Sequence, residues 1–486
     1  MTERFDVVVV GGGPGGSATA TFVAKSGHRV LLLEKETFPR YQIGESLLPA
    51  TVQGTCHLLG VGDDLRRAGF TVKRGGYFRW GTNPEPWVLD FNTVPGLEGL
   101  AAPAFQVERM KFDQILLDNA RRCGAEVRER CSVTGVLTGD GRVTGVRYLD
   151  GGRERQALAR FVVDASGNTG QLFRAVGGAR IYSDFFRNIA LFGYFTGGKR
   201  LPEPYSGNIL TEAFPSGWFW YIPLSPELTS VGAVVTREMV AKVRGDREQA
   251  LRALIDESTL VRDYLADATR VTDGVYGQIR TRKDYSYCGT RFWRPGMVLV
   301  GDAACFVDPV LSSGVHLATY SALMAARSIN SILDGTVDEP RAFDEFESRY
   351  RREYGNFYEF LVSFYDRHVD ESSYFWKAKK LTNYPDSELE AFTTLVGGLS
   401  SGESALIGAM PGEELWQPPE IELGTIAGRY PDWDTDRHIR FDPRHPLFES
   451  KQWVPGGVPD QGPRPGGLIP SEDGLRWAVP EPARTG

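Results

Sequence analysis

Several common chemistries are missing from this chain. It has five cysteines (Cys56, Cys123, Cys131, Cys288 and Cys305), and no two of them form a Cys-x-x-Cys pair. A dithiol centre, a zinc ribbon and a disulfide scaffold are therefore excluded as organising features, and the scattered thiols read as reduced. The histidines show no HExxH spacing, so no metal site is predicted. No apolar run reaches the roughly 18–20 residues that a membrane-spanning helix needs, so no membrane partner is expected. The chain enters a strand directly after Met1-Thr-Glu-Arg, which leaves no secretory leader to read, and the expected location is the cytoplasm. There is no basic block either. Lys and Arg number 55 against 62 Asp and Glu, and a net charge of −7 argues against nucleic acid as the main partner.

What remains is an ordinary globular composition, 24% charged and 41% hydrophobic over 486 residues, enough for several domains and a large core. The segment Phe5-Asp-Val-Val-Val-Val10 reads as a strand buried on both faces. Gly11-Gly-Gly-Pro-Gly-Gly16 follows, then a small-residue helix from Ser17 to about Lys25, then the strand Arg29–Leu33 ending at Glu34. This is a βαβ unit with a dinucleotide fingerprint. Gly11 permits the tight turn, and Gly13, Pro14 and Gly15 bring backbone up to a pyrophosphate. Gly16 lets helix and strand pack, and Glu34 can accept from both ribose hydroxyls.

A helix is predicted over Lys111–Arg122, followed by a β-meander with turns at Gly139-Asp-Gly141 and Asp150-Gly-Gly152. Phe161–Ala165 returns to the first sheet. Ile189–Phe195, Asn208–Phe214, Trp218–Pro223 and Ser230–Val235 read as a second, mostly antiparallel sheet. Met297–Gly301 is again a core strand, and Gly314–Leu333 a long helix. Phe343, Phe346, Tyr350, Tyr354, Phe357, Leu361 and Phe364 recur at helical steps and read as a core-facing stripe. The last 36 residues hold seven prolines and seven glycines and read as an irregular tail. The expected class is α/β, or α+β overall, with a Rossmann domain (1–180 and 291–335) interrupted by an antiparallel substrate sheet (181–290). A helical region (336–410) and the tail (411–486) complete the chain.

Two distant segments choose between nucleotides. Phe161–Gly167 ends a strand in a small-residue turn, and Val298-Leu-Val-Gly-Asp302 places an acid at a strand tip, suited to the ribityl hydroxyls of a flavin. With the opening fingerprint, this layout resembles the glutathione-reductase-type FAD fold, in the branch of aromatic hydroxylases and flavin-dependent halogenases. That resemblance implies that Arg40 and Arg109 line the cofactor, as do Pro309 and Gly314, and that Val133 offers backbone to the adenine. No second GxGxxG followed by an acid is present, so the enzyme either binds NAD(P)H without a separate domain or receives its flavin already reduced.

The segment Trp218-Phe-Trp220-Tyr-Ile222-Pro223 matches the WxWxIP signature of flavin-dependent halogenases, whose indoles keep organic substrate from the flavin. Gly44-Glu45-Ser46-Leu-Leu-Pro49 resembles the family's stretch beside the isoalloxazine, and Lys73 stands where the family places its essential lysine. Ser312, Ser313 and Gly314 precede the long helix, where a halide would meet hydroxyls and N–H groups; a plain serine cap fits the same residues. Tryptophan halogenases carry a glutamate where this chain has Leu311. A phenol activates its own ortho carbon and can manage without that carboxylate. His316 is a further candidate base, or a packed helix residue.

Over about residues 3–400 the chain resembles the phenol-directed halogenases of glycopeptide-antibiotic (vancomycin and teicoplanin type) assembly. The resemblance implies chlorination of tyrosine or β-hydroxytyrosine on a peptidyl carrier protein of a peptide synthetase. It also implies FADH2 from a separate reductase, with O2 and chloride as co-substrates. Hypochlorous acid formed at the flavin would pass Trp218 and Trp220 to Lys73. Two other readings are a single-component flavin monooxygenase of the same fold and a non-enzymatic protein that docks carrier domains.

Overall fold

The computed structural model describes residues 3–80, 86–93, 97–366, 397–398, 403 and 467–479. The strand Glu3–Val10 is the axis of the first sheet. It pairs in parallel with Val30–Leu33 on one side (Val7 against Val30) and with Arg153–Asp164 on the other (Val7 against Phe161). Val7, Val8 and Val9 are fully buried, which is why the sequence shows an unbroken apolar run rather than an alternating one. Glu126–Arg128 extends one edge, and Met297–Leu299 with Trp293–Arg294 the other. Arg153–Asp164 serves two partners. Its first half pairs antiparallel with the meander strand Arg142–Asp150, and it also runs parallel to the first strand.

The second sheet has nine strands and is mostly antiparallel. At its centre, Arg180–Thr196 pairs with Leu228–Val235, then come Gly217–Pro223 and Ile209–Phe214. The expected span of 181–290 is incomplete. Gly75–Arg79 and Trp87–Asp90, from within the stretch assigned to the Rossmann domain, join this sheet beside Ile209–Phe214. The register is tight there: a Cβ on Gly75 would lie 1.8 Å from the Leu89 carbonyl oxygen. Lys73, at the end of the short strand Thr71–Lys73, therefore sits where the chain crosses between sheets.

Two of the predicted helices begin slightly earlier than expected, whereas Gly314–Leu333 keeps its expected bounds. The first starts at Pro14, whose fixed φ suits the opening position, and the next at Arg109. Gly314–Leu333 packs on the first helix, and Glu339–Asp366 packs on Gly314–Leu333. The aromatic stripe faces the core as predicted: Phe343, Phe346, Tyr350, Tyr354, Phe357 and Leu361 are fully buried, while the Phe364 side chain lies outside the described set. All five cysteines are free; Cys288 and Cys305 face each other across one strand pair. No helix among the described residues is long and apolar enough to cross a membrane.

The expectation of an irregular tail fails at residues 467–479. Ile469–Pro470 pairs with Trp477–Ala478 in a small hairpin that docks on the long helices. The guanidinium groups of Arg327 and Arg349 lie 4.6 and 4.8 Å from the centroid of the Trp477 ring. Its indole N–H donates to Ser328 Oγ at 2.8 Å. Buried Arg327 in turn makes a two-pronged pair with Glu403, both contacts at 3.1 Å. The rest of the tail lies outside the described residues. A ring held by two cations and a buried hydrogen bond is costly to lose. Trp477→Ala should destabilise the protein by about 3–5 kcal/mol, read by denaturant unfolding.

Candidate active site

The glycine turn shows three different reasons for glycine. Gly11 has φ +102°, and a Cβ there would sit 2.5 Å from the Ala165 carbonyl oxygen. A Cβ on Gly16 would meet the Gly11 oxygen at 1.9 Å, so helix and strand could not close. Gly13 is open: its Cβ would find only Arg40 Nη2, at 3.5 Å. That open side belongs to a cavity of about 530 Å³. Glu34 is nearly buried, and its carboxylate accepts from the backbone N–H of Gly12 at 2.6 Å and of Glu36 at 2.8 Å. Each oxygen keeps a lone pair for a further donor such as a ribose hydroxyl.

Of the predicted residues, Gly11, Gly13, Pro14, Gly15, Glu34, Arg40, Glu45, Ser46, Arg109 and Val133 line this cavity. So do Trp218, Trp220, Asp302, Pro309, Ser312 and Gly314. Gly16, Ser313 and Lys73 do not. The cavity also takes in Tyr41, Gln42 and the Ser166–Gly167 turn, and Phe192, Asn168–Leu172 and Arg282, which no motif marked. Asp113 was missed as well. It is fully buried behind the wall and holds both basic residues: Arg40 Nη1 at 2.9 Å and Arg109 through two contacts of 2.7 and 3.0 Å. Arg109 then donates to the carbonyls of Ile43 (2.7 Å) and Gly44 (3.3 Å), fastening the Gly44-Glu-Ser stretch.

That stretch faces two ways. Glu45 and Ser46 line the cavity, whereas the carbonyl of the next residue, Leu47, accepts from Lys73 Nζ at 3.0 Å. Lys73 is 3% exposed, with its ammonium 5.5 Å from the centre of the Phe91 ring. Burial disfavours the charged form and lowers its pKa to about 7. Trp218 and Trp220 stand side by side, ring centres 6.1 Å apart, as their i, i+2 spacing requires. Trp220 donates to Ser230 Oγ at 3.1 Å, and Trp218 to the Tyr365 hydroxyl.

At the helix start, Ser312 takes a left-handed conformation (φ +61°, ψ +24°) and Ser313 a right-handed one (φ −78°, ψ −13°). Successive residues of opposite hand form a backbone nest suited to an anion. The serine-cap alternative fails, because Ser313 makes no side-chain cap bond. Leu311 is packed in the core. His316 is fully buried and bonded through Nε2 to Glu353 at 2.8 Å, so it is the packed residue rather than a base at the cavity. No three His, Cys, Asp or Glu side chains gather as metal ligands among the described residues.

The sequence profile described as "Tryptophan halogenase" matches residues 6–102 and 93–406. A tryptophan 2-halogenase of Chondromyces crocatus is 34% identical over 403 residues, 81% of this chain and 75% of that protein. The chain belongs to the tryptophan halogenase family. The flavin-dependent halogenase armH4 of Armillaria mellea is also 34% identical, over 70% of this chain and 68% of its own length. Among solved structures, the myxobacterial chondrochloren halogenase CndH, a variant of the FAD-dependent halogenases, superposes with a TM-score of 0.76. It is 52% identical, over 98% of this chain and all of its own. The flavin-dependent brominase Bmp2 gives a TM-score of 0.72 at 27% identity, over 81% and 94% of the two chains.

This halogenase is thus an FAD-dependent oxidoreductase; none of these similarities ties it to glycopeptide assembly. Its residues fit FAD. The open face of Gly13 at a helix N-terminus suits the pyrophosphate, and Glu34 the ribose. The Ser46 hydroxyl, buried and without a hydrogen-bond partner among the described residues, awaits a polar ligand.

Two predictions follow from this geometry. Gly13→Ala should leave the fold intact yet weaken FAD binding by about tenfold or more, whereas Gly16→Ala should fail to fold. Flavin fluorescence titration and circular dichroism separate the two outcomes. Secondly, Lys73 titrates near 7 when folded and near 10.5 in its ordinary state. Between those values the unfolded chain binds more protons, so the Lys73 contribution to stability rises with pH and is most unfavourable below the window. Lys73→Met should raise Tm more at about pH 6 than at about pH 9.

Proposed function

We propose that this halogenase chlorinates a phenol ring ortho to its hydroxyl, on tyrosine or β-hydroxytyrosine tethered to a peptidyl carrier protein of glycopeptide-type assembly, with reduced FAD delivered by a separate reductase. One observation carries the halogen-transfer part of this reading. A buried amine, Lys73, hangs on the Leu47 carbonyl, next in sequence to residues that line the flavin cavity, and is itself outside that cavity. When bound, reduced FAD would supply, with O2 and chloride, an electrophilic chlorine in the form of hypochlorous acid.

The chain's own residues then have three tasks. The Ser312–Ser313 nest and the N–H of Gly314 hold chloride at a positive helix end. Trp218 and Trp220 fill the wall with two large rings, so the aromatic substrate does not reach the cavity that lodges the flavin. Lys73 receives the small oxidant. With a pKa of about 7 its amine is available in both forms near neutrality, as a nucleophile to chlorine or as an ammonium that polarises hypochlorous acid. The balance is ArH + Cl⁻ + FADH2 + O2 + H⁺ → ArCl + FAD + 2 H2O.

The phenol preference rests on Leu311. Where the resemblance places a carboxylate in indole-directed enzymes, this chain has a buried leucine, so the substrate must activate its own ring. The test is incubation with a flavin reductase, NADH, O2 and chloride. The panel would comprise carrier-bound tyrosyl and β-hydroxytyrosyl substrates, free tyrosine and free tryptophan, followed by mass spectrometry. Chlorine on the carrier-bound phenols is expected; chlorination of free tryptophan alone would overturn the substrate assignment. NADH oxidation by the protein without reductase would overturn the two-component one.

Lys73→Ala should lower chlorination about a hundredfold or more while flavin oxidation continues and hypochlorous acid escapes to a thiol trap. The pH dependence of the share of hypochlorous acid that ends on substrate rather than in the thiol trap isolates the Lys73 step and identifies the working form. A share that climbs through about pH 7 assigns the neutral amine, and a share that falls there assigns the ammonium.

A further inference from the structure

Two buried side-chain amides stand beside Lys73, and each is only half used. Thr71–Lys73 and Ala104–Gln106 form a two-stranded ribbon in which Thr71 pairs with Gln106 and Lys73 with Ala104. Paired residues and alternate residues share a face, so the Gln106 and Lys73 side chains stand on the same side of the ribbon. Gln106 Nε2 donates to the Gly207 carbonyl at 3.1 Å, which fixes the amide. Its Oε1 is left buried and without a hydrogen-bond partner among the described residues. Asn208 Oδ1 accepts from the backbone N–H of Arg74 at 2.8 Å, and its buried Nδ2 is left open in the same way. One open acceptor and one open donor therefore flank the strand that carries the amine.

Both amides also border the flavin cavity without lining it. Ser46, in the cavity wall, bridges to Gln106, and Ile209, in the same wall, follows Asn208. Gly207 is pressed onto the lysine strand: a Cβ there would lie 2.0 Å from the Val72 carbonyl oxygen. Buried polar atoms left open cost stability unless a small polar molecule fills them. Hypochlorous acid offers one O–H to an acceptor and one oxygen to a donor, which matches this pair.

We propose that Gln106 and Asn208 form the reception site for hypochlorous acid beside Lys73, Gln106 Oε1 accepting its O–H and Asn208 Nδ2 donating to its oxygen. This deepens the reading that Lys73 takes the oxidant, and rests on it. With both contacts made at the O–H end, the chlorine is left for the amine. In the chloramine route, Lys–NH2 + HOCl → Lys–NHCl + H2O. The N–Cl bond forms as the O–Cl bond breaks, and the oxygen keeps the bonding pair and takes a proton from the amine. The Asn208 N–H faces the negative charge that develops on that oxygen. In the ammonium route the same two contacts hold the oxidant, and no bond at Lys73 changes.

The measured quantity is the ratio of chlorinated substrate to hypochlorous acid caught by a thiol trap. The assay contains flavin reductase, NADH, O2, chloride and the carrier-bound phenol. Gln106→Met removes the acceptor and Asn208→Leu the donor, and neither adds a charge near the amine. Each should lower the ratio about tenfold or more, with flavin oxidation and the KM for chloride unchanged. Lys73 should still titrate near pH 7 in both variants, read by NMR of labelled lysine, which separates a lost contact from a displaced amine. Added to Lys73→Ala, either substitution should lower the ratio no further.

FAD titration shows which variants keep the fold, and should one fail, the other decides. A wild-type ratio in an FAD-binding Gln106→Met or Asn208→Leu enzyme would overturn the reception site. A wild-type ratio in Lys73→Ala would instead overturn the assignment of Lys73 beneath it.

Discussion

The hydrogen bond from Lys73 Nζ to the Leu47 carbonyl is the contact on which the site depends. An amine this deep loses its hydration, and one backbone oxygen and one aromatic face are what the described structure gives it in return. That bond requires the Gly44–Leu48 stretch to stay where it is. Arg109 fixes the beginning of the stretch by its carbonyls, and Asp113 fixes Arg109. Ser46 bridges to Gln106, whose strand pairs with Thr71–Lys73 itself. The amine and the segment it hangs on are therefore parts of one small, closed circuit of backbone pairing.

Around this circuit the two sheets set the distances. The tryptophan pair needs space that neighbouring strands must yield. A Cβ on Gly232 would lie 2.2 Å from the Trp220 ring and 2.6 Å from Phe192 Cβ, so the glycine across the strand pair is what admits the indole. Ser230, two residues earlier on that strand, anchors the same ring by its N–H. A wall built of large rings is rigid only when each polar edge has a partner, and here both indoles have one.

Much of this was legible from residue order because it is local. The strand, turn and helix of residues 3–34 carry their periodicity and glycines within one short segment. The Trp218–Trp220 spacing sets which way both rings point regardless of what surrounds them. What escaped is what depends on distant segments. Asp113 reads as one acid on an amphipathic helix until Arg40 and Arg109 converge on it. Arg282 and Tyr194 sit in strands with no motif, and their roles come from Gln42, Tyr41 and Glu45, some 150 to 240 residues away. Trp477 lies in a Pro/Gly-rich tail whose composition hides a hairpin, because two arginines on other elements order it.

The same dry interior explains why two chemically opposite groups titrate together. Desolvation penalises charge of either sign, so it raises a carboxyl and lowers an amine. Glu45 rises to about 7 and Lys73 falls to about 7, each with burial as the leading cause. Only one residue, Ser46, separates Glu45 from Leu47, whose carbonyl holds the amine. The fold therefore needs no dedicated partner charge to tune either group. It needs only to keep water out of the layer between them, and Arg109, the tryptophan wall and the glycine that admits Trp220 all serve that end.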